Sequence, residues 1–156
     1  MHEFHLSKNY RNSSEIYDFA AHYARRVGLD ADLPEAVRST GVEPAELVVD
    51  ELEGSLRSAL ETVTSSIEGT VGVVVPTARV AEVTGWLASW PEVAGDVGRA
   101  DSRIAVLTGL DTKGLEFDGI VVVEPREIES ESPAGRSTLY VVYTRATQQM
   151  VTIRAV

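Results

Sequence analysis

The chain has 156 residues, of which 44% are hydrophobic and 24% are charged, and its formal net charge is −10. This composition is typical of a single globular domain that buries its own core, and no apolar run is long enough to span a bilayer. The sequence contains no cysteine, which excludes disulfides, thiol catalysis and cysteine-bound zinc. Because the first ten residues also lack the pattern of a signal peptide, we expect a cytoplasmic protein.

Acidic residues are concentrated in the middle of the sequence. Residues 31–68 contain nine acidic and two basic side chains. Since nucleic-acid binding relies on Lys and Arg facing phosphates, a domain with this charge should repel bulk nucleic acid. Any surface that faces phosphate is therefore expected to come from the two ends of the chain.

Apolar strands alternate with helical patterns along the sequence. Residues 4–6 end a short strand, and a helix with apolar residues at helical spacing runs from Ile16 to Val27 and ends at Gly28. Further strands are predicted at residues 46–52, 70–76, 102–110, 118–125 and 149–156. Further helices are predicted at residues 52–63, 77–90 and 138–147, the last capped by Ser137. Residues 126–137 are predicted to be a flexible surface loop. This alternation indicates an α/β fold with a parallel sheet covered on both faces, and it leaves the strand order open.

The segment KGLEF, residues 113–117, contains one of only two lysines in the chain. It lies between two predicted strands, and in open α/β sheets ligands bind beyond the carboxyl ends of strands. Gly114 would let the backbone approach a phosphate closely, and Glu116 could accept hydrogen bonds from ribose hydroxyls. Leu115 and Phe117 would anchor the loop in the core. The alternative is a polar turn with two hydrophobic anchors.

Two arginines lie where they could face a phosphate. Arg145 stands at the end of the apolar run of the predicted helix at residues 138–147, and Arg11 precedes the first helix beside Tyr10, which could stack on a base. The alternatives are an arginine that interacts with a helix C-terminus and a solvated surface pair. No spacing of His2, His5 and His22 matches a metal site, so no metal site is expected.

Three motifs together resemble one family. The segments LSKNYRNS (residues 6–13), TGLDTKGLEFD (residues 108–118) and LYVVYTRAT (residues 139–147) look like three motifs of the second RecA-like domain of superfamily 1A helicases, the UvrD/Rep/PcrA group. Their order and positions also match, and they bracket nearly the whole chain. The resemblance implies a single RecA-like domain over residues 1–156, as the C-terminal motor domain of a larger helicase-like protein.

The resemblance also implies roles for residues of the first and third motifs. Arg11 and Arg145 would reach the γ-phosphate of ATP as the catalytic arginines, and Tyr10 would stack near the adenine. An arginine that stabilises charge in phosphoryl transfer is worth about 10³ to 10⁵ in rate in other nucleoside triphosphatases.

In the second motif, Glu116 would bond the ribose, Gly114 would line the same cleft, and Lys113 would stand at the edge of the phosphate site. Thr108 would lie near the nucleic-acid backbone. Leu110 stands where the family usually has a histidine, so one nucleic-acid contact is expected to be lost.

The family's large inserted subdomain is missing, because only about thirty residues separate the strand at 70–76 from the second motif. In this respect the chain looks more like the helicase IV and HelD-like branch, some members of which act on RNA polymerase. The alternative function is therefore a protein-interaction module of an RNA-polymerase-associated factor with little or no unwinding activity.

No phosphate-binding P-loop is present, because neither lysine follows the glycine that G-x-x-x-x-G-K-[ST] requires. ATP and its Mg²⁺ are therefore expected to be held by a first RecA-like domain of the parent chain. That domain and DNA are the expected partners, RNA polymerase is the partner in the alternative, and no membrane is expected. The isolated chain is expected to be inactive as an ATPase.

Overall fold

A single parallel sheet of five strands organises the domain in the computed structural model, which describes residues 14–29, 44–67, 69–88 and 103–155. The strands are β1 (Ala45–Val49), β2 (Val71–Val75), β3 (Ile104–Thr108), β4 (Phe117–Val123) and β5 (Ala146–Ala155). Their order across the sheet is β1-β5-β4-β2-β3, and every neighbouring pair is parallel. The predicted α/β fold with a parallel sheet is confirmed.

The valine-rich sequences of the central strands are explained by burial on both faces. Successive side chains of a strand point to opposite faces, and every residue of β2 is buried. Val73 belongs to the hydrophobic core on one face, whereas Val74 belongs to the core on the other. β4 repeats this division with Val121 and Val122.

Helices cover both faces of this sheet. The described helices are α1 (Ser14–Val27), α2 (Leu52–Ser66), α3 (Val80–Trp86), α4 (Pro125–Ser130) and α5 (Gly135–Tyr143). Helices α2 and α3 pack on one face, and α1, α4 and α5 pack on the other. The ring of Tyr143 on α5 makes edge-to-face contacts with Phe19 and Tyr23 of α1, with centroid distances of 5.0 and 5.1 Å. These contacts fix α1 against α5.

Helix α4 lies where a flexible loop was predicted, so that prediction is wrong. Pro125 occupies the first turn, where its missing N–H costs nothing, and Ile128 is buried in the core. The Arg79 guanidinium donates to both carboxylate oxygens of Glu127, at 2.8 and 2.9 Å. One buried apolar residue and this ion pair hold the segment on the sheet.

Several predicted boundaries shift. Helix α5 begins at Gly135, so Ser137 lies inside the helix and the predicted cap is wrong. The same helix ends at Tyr143, because β5 begins at Ala146 rather than at residue 149. Gly28 has a φ of 83°, which confirms that it ends α1. The predicted strand end at residues 4–6 lies outside the described residues.

The connection from β3 to β4 crosses the full height of the sheet. We call the side where the parallel strands begin the amino edge and the side where they end the carboxyl edge. Thr108 ends β3 at the carboxyl edge, and Phe117 begins β4 at the amino edge. Residues 109–116, called the crossover below, therefore run from one edge to the other. None of the described helices is long and apolar enough to cross a membrane.

Candidate functional site

The end of the crossover meets Arg145 at the amino edge. The N–H of Phe117 donates to the carbonyl oxygen of Arg145 at 2.9 Å, which pairs the starts of β4 and β5. The Arg145 Nη1 reaches the carbonyl oxygen of Leu115 at 3.5 Å. Two sequence-predicted segments, KGLEF and TRA, are thus brought together because β4 and β5 are neighbours in the sheet.

The guanidinium of Arg145 is held by acceptors of its own helix end. Its Nε lies 3.3 Å from the Val141 carbonyl oxygen and 3.3 Å from the Thr144 hydroxyl, and its Nη2 donates to that hydroxyl at 3.1 Å. The side chain is half-buried. Burial lowers the pKa of Arg145, and the nearby Glu116 carboxylate opposes this effect. The group still remains a cation at neutral pH, since arginine does not deprotonate in proteins.

Because a guanidinium has five N–H groups, two η N–H groups of Arg145 have no acceptor within the described part of the chain. The amino edge therefore presents a positioned cation with spare hydrogen-bond donors.

The turn that leads to this edge exposes Lys113, Gly114 and Glu116. Gly114 has a φ of 77°, a left-handed conformation that favours glycine, and its missing Cβ would meet nothing within 4 Å. Backbone and side chains at this turn are thus open to a molecule approaching the amino edge.

Only one of the two predicted hydrophobic anchors packs in the core. Leu115 is 45% exposed, so its prediction as an anchor is wrong. Phe117 packs against the core on the face that carries α1 and α5. Its ring passes over Gly72 of β2, where an added Cβ would lie 3.1 Å from Phe117 Cδ2. The crossover is therefore fixed by Phe117 while Leu115 faces outward.

Thr108 lies at the opposite, carboxyl edge, away from the other predicted site residues. Its N–H donates to Asp111 Oδ2 at 3.2 Å, and the Asp111 N–H lies 3.4 Å from Thr108 Oγ1. A five-residue strand separates the two edges by about 16 Å. The expectation that the KGLEF loop lies beyond the carboxyl ends of the strands is thus wrong. Only the start of the crossover lies at the carboxyl edge, and the KGLEF loop lies at the amino edge.

Tyr10 and Arg11 lie outside the described residues, so their roles stay predictions. Helix α1, which follows them in sequence, runs in the same direction as the strands. Its first turns line a groove with Pro44, which precedes β1, and its last turn lines a groove with Val48 near the end of β1. Ser14, the first residue of α1, is thus on the side of the amino edge.

Thr144 contributes to the site and was not predicted. Its hydroxyl accepts from two nitrogens of Arg145 and itself donates to the Val141 carbonyl oxygen at 2.7 Å. The sequence signal for this role was a hydroxyl residue directly before the arginine. The contact between the two side chains depends on the backbone conformation at the end of α5, which the sequence does not show.

Within the described ranges, no three His, Asp or Glu side chains are grouped to hold a metal ion.

Comparison with known proteins yields a structural match. No family model and no curated protein matches the sequence. Among solved structures, the chain is similar to the C-terminal domain of a possible DNA helicase from Lactobacillus plantarum WCFS1, with a TM-score of 0.67 and 20% identity. The match covers 94% of this chain and 87% of that one. At this identity the likeness establishes the fold, and the predicted RecA-like α/β architecture is confirmed.

Proposed function

We propose that this chain is the second motor domain of a superfamily 1 helicase-like ATPase. Its amino edge would close on ATP and Mg²⁺ held by the first RecA-like domain of the parent protein. The observation that carries the proposal is the convergence of Arg145 with the backbone of the KGLEF segment at that edge. The similarity to the C-terminal domain of a possible DNA helicase supports the same function.

The chemistry of the amino edge suits a triphosphate. The two spare η N–H groups of Arg145 would donate to γ-phosphate oxygens, and a cation held by Thr144 needs little reorganisation as charge develops. Such an arginine typically contributes about 10³ to 10⁵ to the rate of phosphoryl transfer. Arg11 would supply the second guanidinium.

The remaining residues of the edge would hold the rest of the nucleotide. The exposed carboxylate of Glu116 would accept from ribose hydroxyls, the backbone at Gly114 would line the cleft, and Lys113 would add charge at its rim. Tyr10 would stack near the adenine. At the other edge, Thr108 would lie near the DNA backbone, so that nucleotide and DNA would be contacted from opposite edges of one sheet.

The test compares Arg145→Ala with Arg136→Ala in the parent protein that carries both motor domains. Arg136 lies in the first turn of α5, the helix that precedes Arg145, and it is exposed, so its loss should leave turnover near the wild-type value. Arg145→Ala should lower kcat for ATP hydrolysis by about 10³ or more, with a smaller effect on nucleotide affinity. Equal turnover by the two variants would exclude the proposed role of Arg145. ATP hydrolysis by the isolated 156-residue chain that survives Arg145→Ala would overturn the whole assignment.

A second candidate function is a protein-interaction module of an RNA-polymerase-associated factor. It is favoured by two exposed apolar residues, Leu47 and Val48, on β1 at one end of the strand order. Capture of purified RNA polymerase by the chain, reduced by Val48→Glu, would support it. Tight binding of single-stranded DNA with a steep salt dependence would instead support the motor.

A further inference from the structure

A groove lies on the sheet face that carries α1, α4 and α5, towards the carboxyl edge. Its floor is formed by the ends of β1 and β5, where Val48 and Arg154 are paired residues. Its walls are α1 on one side and α4 with α5 on the other. The volume is about 480 Å³, which is within the range of small-molecule sites. The groove is thus large enough for a ligand of nucleotide size.

Three arginines from three different elements line this groove. They are Arg26 of α1, Arg126 of α4 and Arg154 of β5. Arg26 lies over the Tyr23 ring, 5.5 Å from its centroid. Across the part of the chain that the structure describes, none of the three guanidiniums forms an ion pair or a side-chain hydrogen bond.

Three arginines of the described chain outside this groove are engaged with local partners, whereas Arg25 and Arg136 are exposed and form no ion pair within the described ranges. Arg57 and Arg79 pair with glutamates, and Arg103 donates to backbone carbonyls. In a chain of net charge −10, three guanidiniums without an acidic partner in one groove leave their donors available to an anion.

Two carboxylates of the groove give it acceptors as well. Glu129 Oε2 accepts from the Tyr23 hydroxyl at 2.6 Å, which fixes that carboxylate on the wall. Glu46 lies on the floor and is exposed. Guanidinium donors and carboxylate acceptors in one cavity match a ligand that carries both phosphoryl oxygens and hydroxyl groups.

We propose that this groove is a second ligand site, which binds a small phosphorylated molecule with hydroxyl groups, such as a nucleoside monophosphate or a sugar phosphate. Arg154 on the floor and Arg126 on the α4 wall bind the phosphoryl group, and Arg26 closes the end of the groove beside Tyr23. Glu46 and Glu129 accept from the hydroxyls. The site is independent of the amino edge and does not require the proposed motor function.

The experiment measures binding of AMP and of inorganic pyrophosphate to the 156-residue chain by titration calorimetry. The test variant is Arg126→Ala/Arg154→Ala, which changes one exposed and one half-exposed side chain. Arg25→Ala is the matched control, because Arg25 neighbours Arg26 on the exposed side of α1 and does not line the groove.

We expect AMP to bind the wild-type chain and the Arg25 variant alike, and the double variant to bind it at least tenfold more weakly, as the loss of charged hydrogen bonds requires. Pyrophosphate should bind more weakly than AMP, since it cannot use the two carboxylates. AMP binding that is unchanged in the double variant, or absent at millimolar concentration, overturns the proposal. Preferential binding of an oligothymidylate, lost in the double variant, also overturns it in favour of a nucleic-acid contact.

Discussion

Replacing Arg103 by alanine should destabilise the domain more than any other single arginine deletion in the described structure. Its guanidinium donates to the carbonyl oxygens of Gly69 at 2.8 Å, of Thr64 at 3.0 Å and of Ile67. These carbonyls lie at the end of α2 and in the turn to β2, where helical partners run out. The side chain therefore ties α2 to the edge strand β3.

The magnitude follows from three charged hydrogen bonds. Each is worth about 1.5 to 3 kcal/mol, and the half-buried position of Arg103 lets water replace part of the loss. We expect Arg103→Ala to lower the free energy of unfolding by about 2 to 4 kcal/mol, and Tm by about 5 to 15 °C. Urea denaturation followed by circular dichroism measures the change.

Two matched variants sharpen this measurement. Arg103→Lys keeps the charge but cannot reach three carbonyls at once, so it should recover less than half of the loss. Arg57→Ala removes an exposed i,i+4 pair with Glu53 and a bond to a backbone carbonyl, and should cost about 1 kcal/mol or less. A midpoint for Arg103→Ala that equals that of Arg57→Ala would refute the reasoning.

Further predictions concern helix contact and buried phenols. Gly135→Ala would place a Cβ 1.9 Å from the Glu129 carbonyl oxygen, so α4 and α5 must separate and the free energy of unfolding should fall by about 2 kcal/mol or more. The control is Gly85→Ala, which has nothing within 4 Å of the added Cβ and should be neutral or stabilising. Equal midpoints of urea denaturation for the two variants would contradict the argument. Burial raises the pKa of Tyr23 and of Tyr143, so their phenols should not ionise with exposed tyrosines. Since only the unfolded chain then releases these protons, the contribution of these two tyrosines to stability should be constant below about pH 10 and fall above it. Ultraviolet difference titration of the folded chain measures the ionisation of its tyrosine side chains. If all five tyrosines ionise together, the predicted protection of Tyr23 and Tyr143 is wrong.

Strands β2 and β4 were predictable because each contains a run of buried Val and Ile side chains that face both sides of the sheet. Helix α4 was not, because a helix of this length carries only one buried apolar residue, Ile128, among Glu and Ser. Pro125 at its first position was the available signal. The cap at Ser137 failed for a related reason: close contact between α4 and α5 lets the helix begin earlier, at Gly135, where a side chain would clash.

The candidate site was predicted as a set of residues but not as a place. The motifs indicated Glu116 and Arg145, yet their meeting depends on β4 lying beside β5, and strand order cannot be read from periodicity. The position of Thr108 on the other edge follows from the same topology. Arg26, Arg126 and Arg154 were not predicted at all, since the groove that they share is assembled from three elements far apart in sequence.

The crossover joins the two edges of the sheet through few residues. Its middle forms the 3₁₀ turn Leu110–Thr112, and the buried Thr112 hydroxyl donates to the Gly109 carbonyl oxygen at 2.6 Å. Residues 109–116 thus connect the carboxyl end of β3, which Thr108 forms, with the carbonyl of Leu115 that Arg145 contacts. Under the proposed function, this one short segment would link the edge that faces DNA to the edge that faces the nucleotide.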